Sequence, residues 1–182
     1  MTGPIARVYA FSFFDAFILI YPLYTLLFVR SGIAPAGVGV LLGVWSTTAF
    51  VLEVPTGVLA DRVSRRGLLV LAQLLRAAGY GVWLLAPNFA GFLVGFVLWG
   101  AKSALTSGAF QGMVYDHLKA AGREADYGRV IGRAKSASHA GIMLASLAAA
   151  GAVKIGGYPL VLDASLGACA AAAAAIDRKS VV

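Results

Sequence analysis

The chain has 182 residues, 60% of them hydrophobic and 13% charged, with a formal net charge of +7 and a mean hydropathy of +0.83. Soluble domains carry roughly 25% charged residues, so a water-dispersed globule of this composition would expose too much apolar surface, and the medium is a bilayer. A soluble enzyme, a nucleic-acid-binding module and a secreted disulfide scaffold are excluded, and the single cysteine, Cys169, has no internal partner.

Six apolar segments follow in chain order, at about residues 8–29, 36–60, 68–86, 89–114, 134–153 and 158–176. At 1.5 Å per residue, each is long enough to cross a hydrocarbon core of about 30 Å. Lipid offers backbone amides no partner, which favours helices, and the Ala- and Leu-rich runs lack the alternation of barrel strands. The expected fold is an all-α membrane protein with six transmembrane helices. Ala34-Pro35-Ala36 resembles a signal-peptide cleavage site, but the run before it is too long for a signal h-region and contains Asp15.

The basic residues orient the bundle. With the N-terminus in the cytoplasm, the inner side carries Arg7, Arg62, Arg65, Arg66, Lys119, Arg123, Arg129, Arg133, Lys135, Arg178 and Lys179, and the outer side only Arg30 and Lys154. This asymmetry puts both termini in the cytoplasm and makes the net charge a topological signal. The outer connectors are short, as at Ala86-Pro87-Asn88. The connector over about 115–133 admits two readings: an interfacial helix turning Tyr115, Leu118, Tyr127 and Ile131 to lipid, or a solvated loop. Gly39 with Gly43, Gly91 with Gly95, and Gly108 with Gly112 have the spacing that lets membrane helices approach closely.

Ionisable residues inside spans are costly unless paired or wetted. Asp15, Glu53, Arg76 and Lys102 lie within the first four spans, all at ~10–18 Å from the inner boundary by counting along the helices. Two acids and two bases at one depth invite pairing in a balanced set. They read as the polar lining of a water-filled path, with Asp15 or Glu53 exchanging protons, or as a static ion-pair network that fixes helix register. Asp15 and Lys102 lead as path candidates. Glu53 precedes Pro55, which frees a backbone carbonyl and is expected to kink the helix, so a gating part for Glu53 is equally open. His139 reads more readily as a hydrogen-bonded packing residue, and Asp163 as a hydrated group near the outer end. No metal or cofactor is expected.

Between the second and third spans runs Gly57-Val58-Leu59-Ala60-Asp61-Arg62-Val63-Ser64-Arg65-Arg66-Gly67, a polar, strongly cationic turn between two membrane helices. It resembles motif A of the major facilitator superfamily, G-x-L-x-D-R-x-G-R-R. Gly57, Leu59, Asp61, Arg62, Arg65 and Arg66 fit the motif; Ser64 replaces its usual Gly, a change expected to strain the turn. Glu53-Val54-Pro55-Thr56-Gly57, Ser107-Gly108-Ala109-Phe110, Tyr115-Asp116 and Gly132-Arg133-Ala134 are similar to bacterial drug-efflux and general permeases of the same family. The family's motif B, R-x-x-x-G, is not plainly present, and Lys102 occupies its region without its spacing.

The resemblance implies alternating access by two six-helix bundles, each a pair of inverted three-helix repeats, with the first and fourth spans lining the path. Asp15 and Lys102 fall on those two spans. It further implies that Asp61, Arg62 and Arg65 stabilise the outward-open state through the other bundle, and that the whole protein moves a small molecule across the inner membrane, with proton-coupled efflux favoured. The expected partners are the lipid bilayer, the substrate with a proton, and a missing C-terminal six-helix half. The alternatives are a half-size chain that works as a homodimer and an inert membrane fragment. The final residues 177–182 are what the sequencing-adapter string GATCGGAAGAGCGTCGTG encodes, so the reading frame is expected to be cut there. Enzyme readings fail: the fourth span has no G-x-S for a rhomboid-type protease, and Asp61-Arg62 stands alone where a CDP-alcohol phosphotransferase needs several aspartates in register.

Overall fold

A computed structural model describes residues 3–177, apart from the side chains of Pro4 and Asp61. Of the tail assigned to adapter sequence, only Asp177 falls among the described residues. Among these, all regular structure is helical: α1 (Gly3–Ala16), α2 (Tyr24–Arg30), α3 (Pro35–Arg62), α4 (Arg65–Leu85), α5 (Phe89–Ala120), a 3-10 turn (Glu124–Asp126) and α6 (Tyr127–Asp177). Four stretches are long and apolar enough to cross a membrane: Pro35–Ala60, Arg65–Leu85, Phe89–Ala120 and Glu124–Asp177. Local chemistry sets their starts. Pro35 opens α3, where its missing N–H costs nothing, and Asn88 caps α5 by accepting from the Gly91 amide at 3.0 Å.

The continuous helix expected over 8–29 is instead broken between α1 and α2. Pro22 cannot donate to Ile18, and its ring clashes with a helical carbonyl there. The chain crosses the gap by short-range bonds, including Ile18 N to the Ala16 carbonyl at 2.9 Å and Leu23 N to the Ile20 carbonyl at 2.9 Å. The freed Ile20 amide donates to Ser165 Oγ on α6 at 3.2 Å. Non-helical backbone at membrane depth requires such a protein partner.

The connector over 115–133 also differs from both readings. α5 runs on to Ala120 and α6 begins at Tyr127, so a six-residue turn replaces the interfacial helix or long loop. α6 is itself interrupted: Gly157 takes φ 67°, ψ −161°, a backbone conformation essentially confined to glycine. In a straight helix Ala134 and Ile176 would stand about 63 Å apart. Both belong to one apolar cluster, so the two arms of α6 fold back side by side at Gly157.

Two apolar clusters fill the bundle. One, at the motif end, gathers Val8, Phe11, Leu69, Ala72, Leu105 and Ile176. The other, at the opposite end, gathers Ile18, Tyr80, Trp83, Phe92, Phe96 and Val161. Helix contacts depend on a few small residues. A Cβ at Gly141 would fall 2.5 Å from the Phe13 carbonyl, and one at Gly100 would fall 2.7 Å from the Trp45 carbonyl. Of the glycine pairs singled out in the sequence, Gly91 packs against Ala86 and Gly95 against the Trp83 ring, while Gly39, Gly43 and Gly108 meet nothing.

Candidate functional site

The join between the two clusters is where the charges sit. Asp15 lies between Phe11 and Ile18 along the chain, Arg76 between Ala72 and Tyr80 on α4, and Lys102 between Phe96 and Leu105 on α5. Asp15 Oδ1 pairs with Lys102 Nζ at 2.8 Å and with Arg76 Nη2 at 3.0 Å. The same oxygen accepts from Gln73 Nε2 at 2.7 Å. Arg76 Nη2 also donates to Gln73 Oε1, and Nη1 to Tyr21 Oη at 2.9 Å.

The break between α1 and α2 is part of this arrangement. In an unbroken helix the Asp15 carbonyl would accept from the Leu19 amide. Here Arg76 Nη1 donates to it at 2.8 Å, so a guanidinium on α4 satisfies a backbone group that the break exposes. The Arg76 side chain is wholly buried and Lys102 nearly so, but 22% of the Asp15 side chain remains exposed. Of the three side chains Asp15 is thus the most accessible, Lys102 is open at its edge, and Arg76 is closed off.

Glu53 is not part of the cluster. It is exposed on α3, so the expected balance of two acids and two bases becomes one carboxylate against two cations. α3 continues as helix through Pro55, where Thr56 Oγ1 donates to the Leu52 carbonyl at 2.7 Å and lies 3.2 Å from the Ala104 carbonyl of α5. His139 and Asp163 are both exposed on α6, and the ion pairs of Arg76 and Lys102 are with Asp15. Sequence reasoning missed Gln73 and Tyr21. The signals available were a glutamine inside an apolar span, one turn before Arg76, and a mid-span proline next to Tyr21.

Above the ions lies an aromatic layer. Tyr21 stacks on Trp99 with centroids 5.2 Å apart and planes 6° from parallel. Trp99 also stacks on Phe96 at 5.5 Å and meets Trp45 at 5.8 Å. Tyr21, Trp45 and Trp99 are half-buried, whereas Phe96, Trp83 and Phe28 behind them are fully buried.

At the motif end, Arg62 ends α3, and Val63 and Ser64 form the whole connection to α4. Gly57, Leu59 and Arg62 are exposed; the Asp61 side chain lies outside the described residues. Ser64 does not strain the turn. Its φ is −57°, and its hydroxyl accepts from the Gly67 amide at 3.3 Å, capping α4. Arg65 Nη1 pairs with Asp116 of α5 at 2.8 Å, an engagement within this bundle. Gly112 lies under the Arg65 guanidinium, where a Cβ would collide with it. Arg65, Arg66, Ser64, Met113, Asp116 and His117 line a groove of about 480 Å³ there.

A turn this short between two long apolar helices, bonded across to the next helix, suits a bundle that must keep these helix ends in register. Comparison with known proteins gives it a family. The Inner membrane transport protein YajR of Escherichia coli (strain K12) is 27% identical over 100 residues, a stretch covering 55% of this chain and 22% of that protein. The match thus takes in less than a quarter of the relative's length. The sequence profile of the Major Facilitator Superfamily matches residues 5–179, taking in every helix from α1 to α6, and the chain belongs to that family of membrane transporters.

Proposed function

We propose that the chain is the N-terminal six-helix half of a secondary active transporter that works by alternating access. Its six spans are α1 with α2, then α3, α4 and α5, and the two arms of α6. Both ends lie in the cytoplasm, where the basic residues gather, and the name of the E. coli relative supports the inner membrane. α1 and α5 line the path, with Asp15, Arg76 and Lys102 at its middle. A second bundle packs on the apolar face of α3, where Phe50 is 77% and Val54 76% exposed.

The observation that carries this reading is the shared Asp15 carboxylate, partly exposed at a break in a membrane helix. Discontinuous helices place binding sites near the midplane of transporters. Protonating Asp15 releases both cations from their common partner, and ionising it gathers them again, so proton binding is coupled to the arrangement of three helices. Motif A, through Arg65 and Asp116, holds the cytoplasmic ends of α4 and α5 during that change. The direction is efflux of a small molecule.

Inverted membrane vesicles from cells expressing the natural gene test the proposal, with ethidium and carboxyfluorescein as probes and a proton gradient imposed. Uptake of at least one probe should follow the gradient, and Asp15→Asn should abolish it without changing membrane insertion. Undiminished uptake by Asp15→Asn would overturn the coupling role.

A further inference from the structure

The site carries more positive charge than its own residues balance. Among the described residues, Asp15 is the only carboxylate within ion-pair distance of Arg76 or Lys102, which leaves one unit of positive charge at membrane depth. An uncompensated charge there is strongly disfavoured. A second observation has the same sign. Among the described residues, the buried side-chain polar atoms without a hydrogen-bond partner are Trp45 Nε1, Arg76 Nε, Tyr80 Oη and Trp83 Nε1. Three are N–H donors, and the fourth is a hydroxyl with a proton to give. Of these, Trp45 Nε1 belongs to a half-buried ring that meets Trp99.

Next to that excess lies the half-buried stack of Tyr21 and Trp99. Trp99 and Lys102 are three residues apart on α5, which puts indole and ammonium on one face. Tyr21 is bonded to Arg76, so ring surface and positive charge are continuous.

We propose that this site takes an organic anion bearing a planar apolar group. The anionic group meets Lys102 where the exposed edge of Asp15 opens, and the ring lies against Trp99 and Tyr21. The bound anion supplies the missing charge. A cationic ligand would add to a site already positive. The proposal rests on the reading of the Asp15 cluster as part of the transport path and names the substrate class for it.

The test is ligand binding to the product of the natural gene in lipid nanodiscs, read from tryptophan fluorescence, with phenylacetate and phenethylammonium as probes of matched shape and opposite charge. Phenylacetate should give a saturable response with an affinity at least tenfold above that of phenethylammonium. Lys102→Gln should weaken phenylacetate at least tenfold, Lys102→Arg should retain it, and Trp99→Phe, which leaves the ions untouched, should weaken it severalfold. Preference for phenethylammonium would overturn the anion assignment and leave the path reading standing. Saturable binding of neither probe would overturn the anion assignment, while the vesicle assay with Asp15→Asn decides the path reading separately. A phenylacetate response unchanged in both Lys102→Gln and Trp99→Phe would put the ligand elsewhere and overturn the site.

Discussion

Asp15→Asn preserves side-chain shape but removes the one negative charge that Arg76 and Lys102 share. Breaking a buried ion pair by removing one partner costs about 3–5 kcal/mol, because the other charge is left uncompensated. Here one substitution strands two cations, so the loss belongs at the upper end, about 5 kcal/mol. Lys102→Gln acts in the opposite sense. Asp15 keeps Arg76, the site becomes neutral, and the loss is that of one strong polar contact in a membrane bundle, about 1–2 kcal/mol. Arg76→Gln falls between. Its four hydrogen bonds, to the Asp15 carbonyl and carboxylate, Tyr21 and Gln73, come to about 2.4 kcal/mol at ~0.6 each.

The expected order of destabilisation is therefore Asp15→Asn, then Arg76→Gln, then Lys102→Gln. Unfolding the purified chain with SDS in mixed micelles measures it, with Trp45, Trp83 and Trp99 reporting from the aromatic layer beside the ions. Glu53→Gln serves as the exposed control and should lie within about 0.5 kcal/mol of the parent. If Asp15→Asn proves no less stable than Lys102→Gln, the carboxylate is not the common counter-ion of two buried cations, and the charge reasoning fails.

Gly95→Ala sets a Cβ against the buried Trp83 ring, whereas Gly43→Ala meets open space; the first should cost about 1–3 kcal/mol by overpacking and the second next to nothing in the same SDS titration. Equal costs would mean that α4 and α5 do not approach as described. Ser64→Ala removes the cap on α4 and should cost about 1 kcal/mol, while Ser64→Gly should cost only a few tenths; the reverse order would restore the case for strain at this position. Asp126 accepts from Arg123 Nε at 2.9 Å, and that bond, with the nearby arginines, holds its carboxyl below the usual carboxylate range. A depressed folded value contributes stability above that range and loses it as pH falls through the folded value. Amide exchange over residues 121–127, corrected for intrinsic rates, should accelerate under acid conditions in the parent and lose that dependence in Asp126→Asn; an unchanged dependence would assign it to another group.

Which of the charges meet depends on the direction of each side chain, and that was not legible in the sequence. Counting along the segments puts Asp15, Glu53, Arg76 and Lys102 at one level, but the face each side chain takes decides whether they meet. On α4 the buried positions Leu69, Ala72, Gln73, Arg76, Tyr80 and Trp83 follow a helical stripe, and that stripe carries Gln73 and Arg76 inward. α3 is apolar around its whole circumference, so nothing in its pattern marks a buried face, and Glu53 ends up exposed. The glycine pairs show the same limit. Spacing marks Gly39 with Gly43 as readily as Gly91 with Gly95, yet only the second pair has close neighbours.

The break in the first segment shows why the cluster could not be assembled from its parts. Pro22 alone signals an interrupted helix, and Arg76 alone signals a buried charge in need of a partner. Neither signal says that the guanidinium of one occupies the carbonyl that the interruption of the other leaves open, at 2.8 Å. Because Arg76 holds the Asp15 carbonyl and the Asp15 carboxylate together, a change in the charge of that carboxylate acts directly on the backbone at the break. That linkage ties the carboxylate to the irregular stretch between α1 and α2 through one guanidinium on α4. An unbroken helix would give the Asp15 carbonyl to the Leu19 amide and leave Arg76 without that partner.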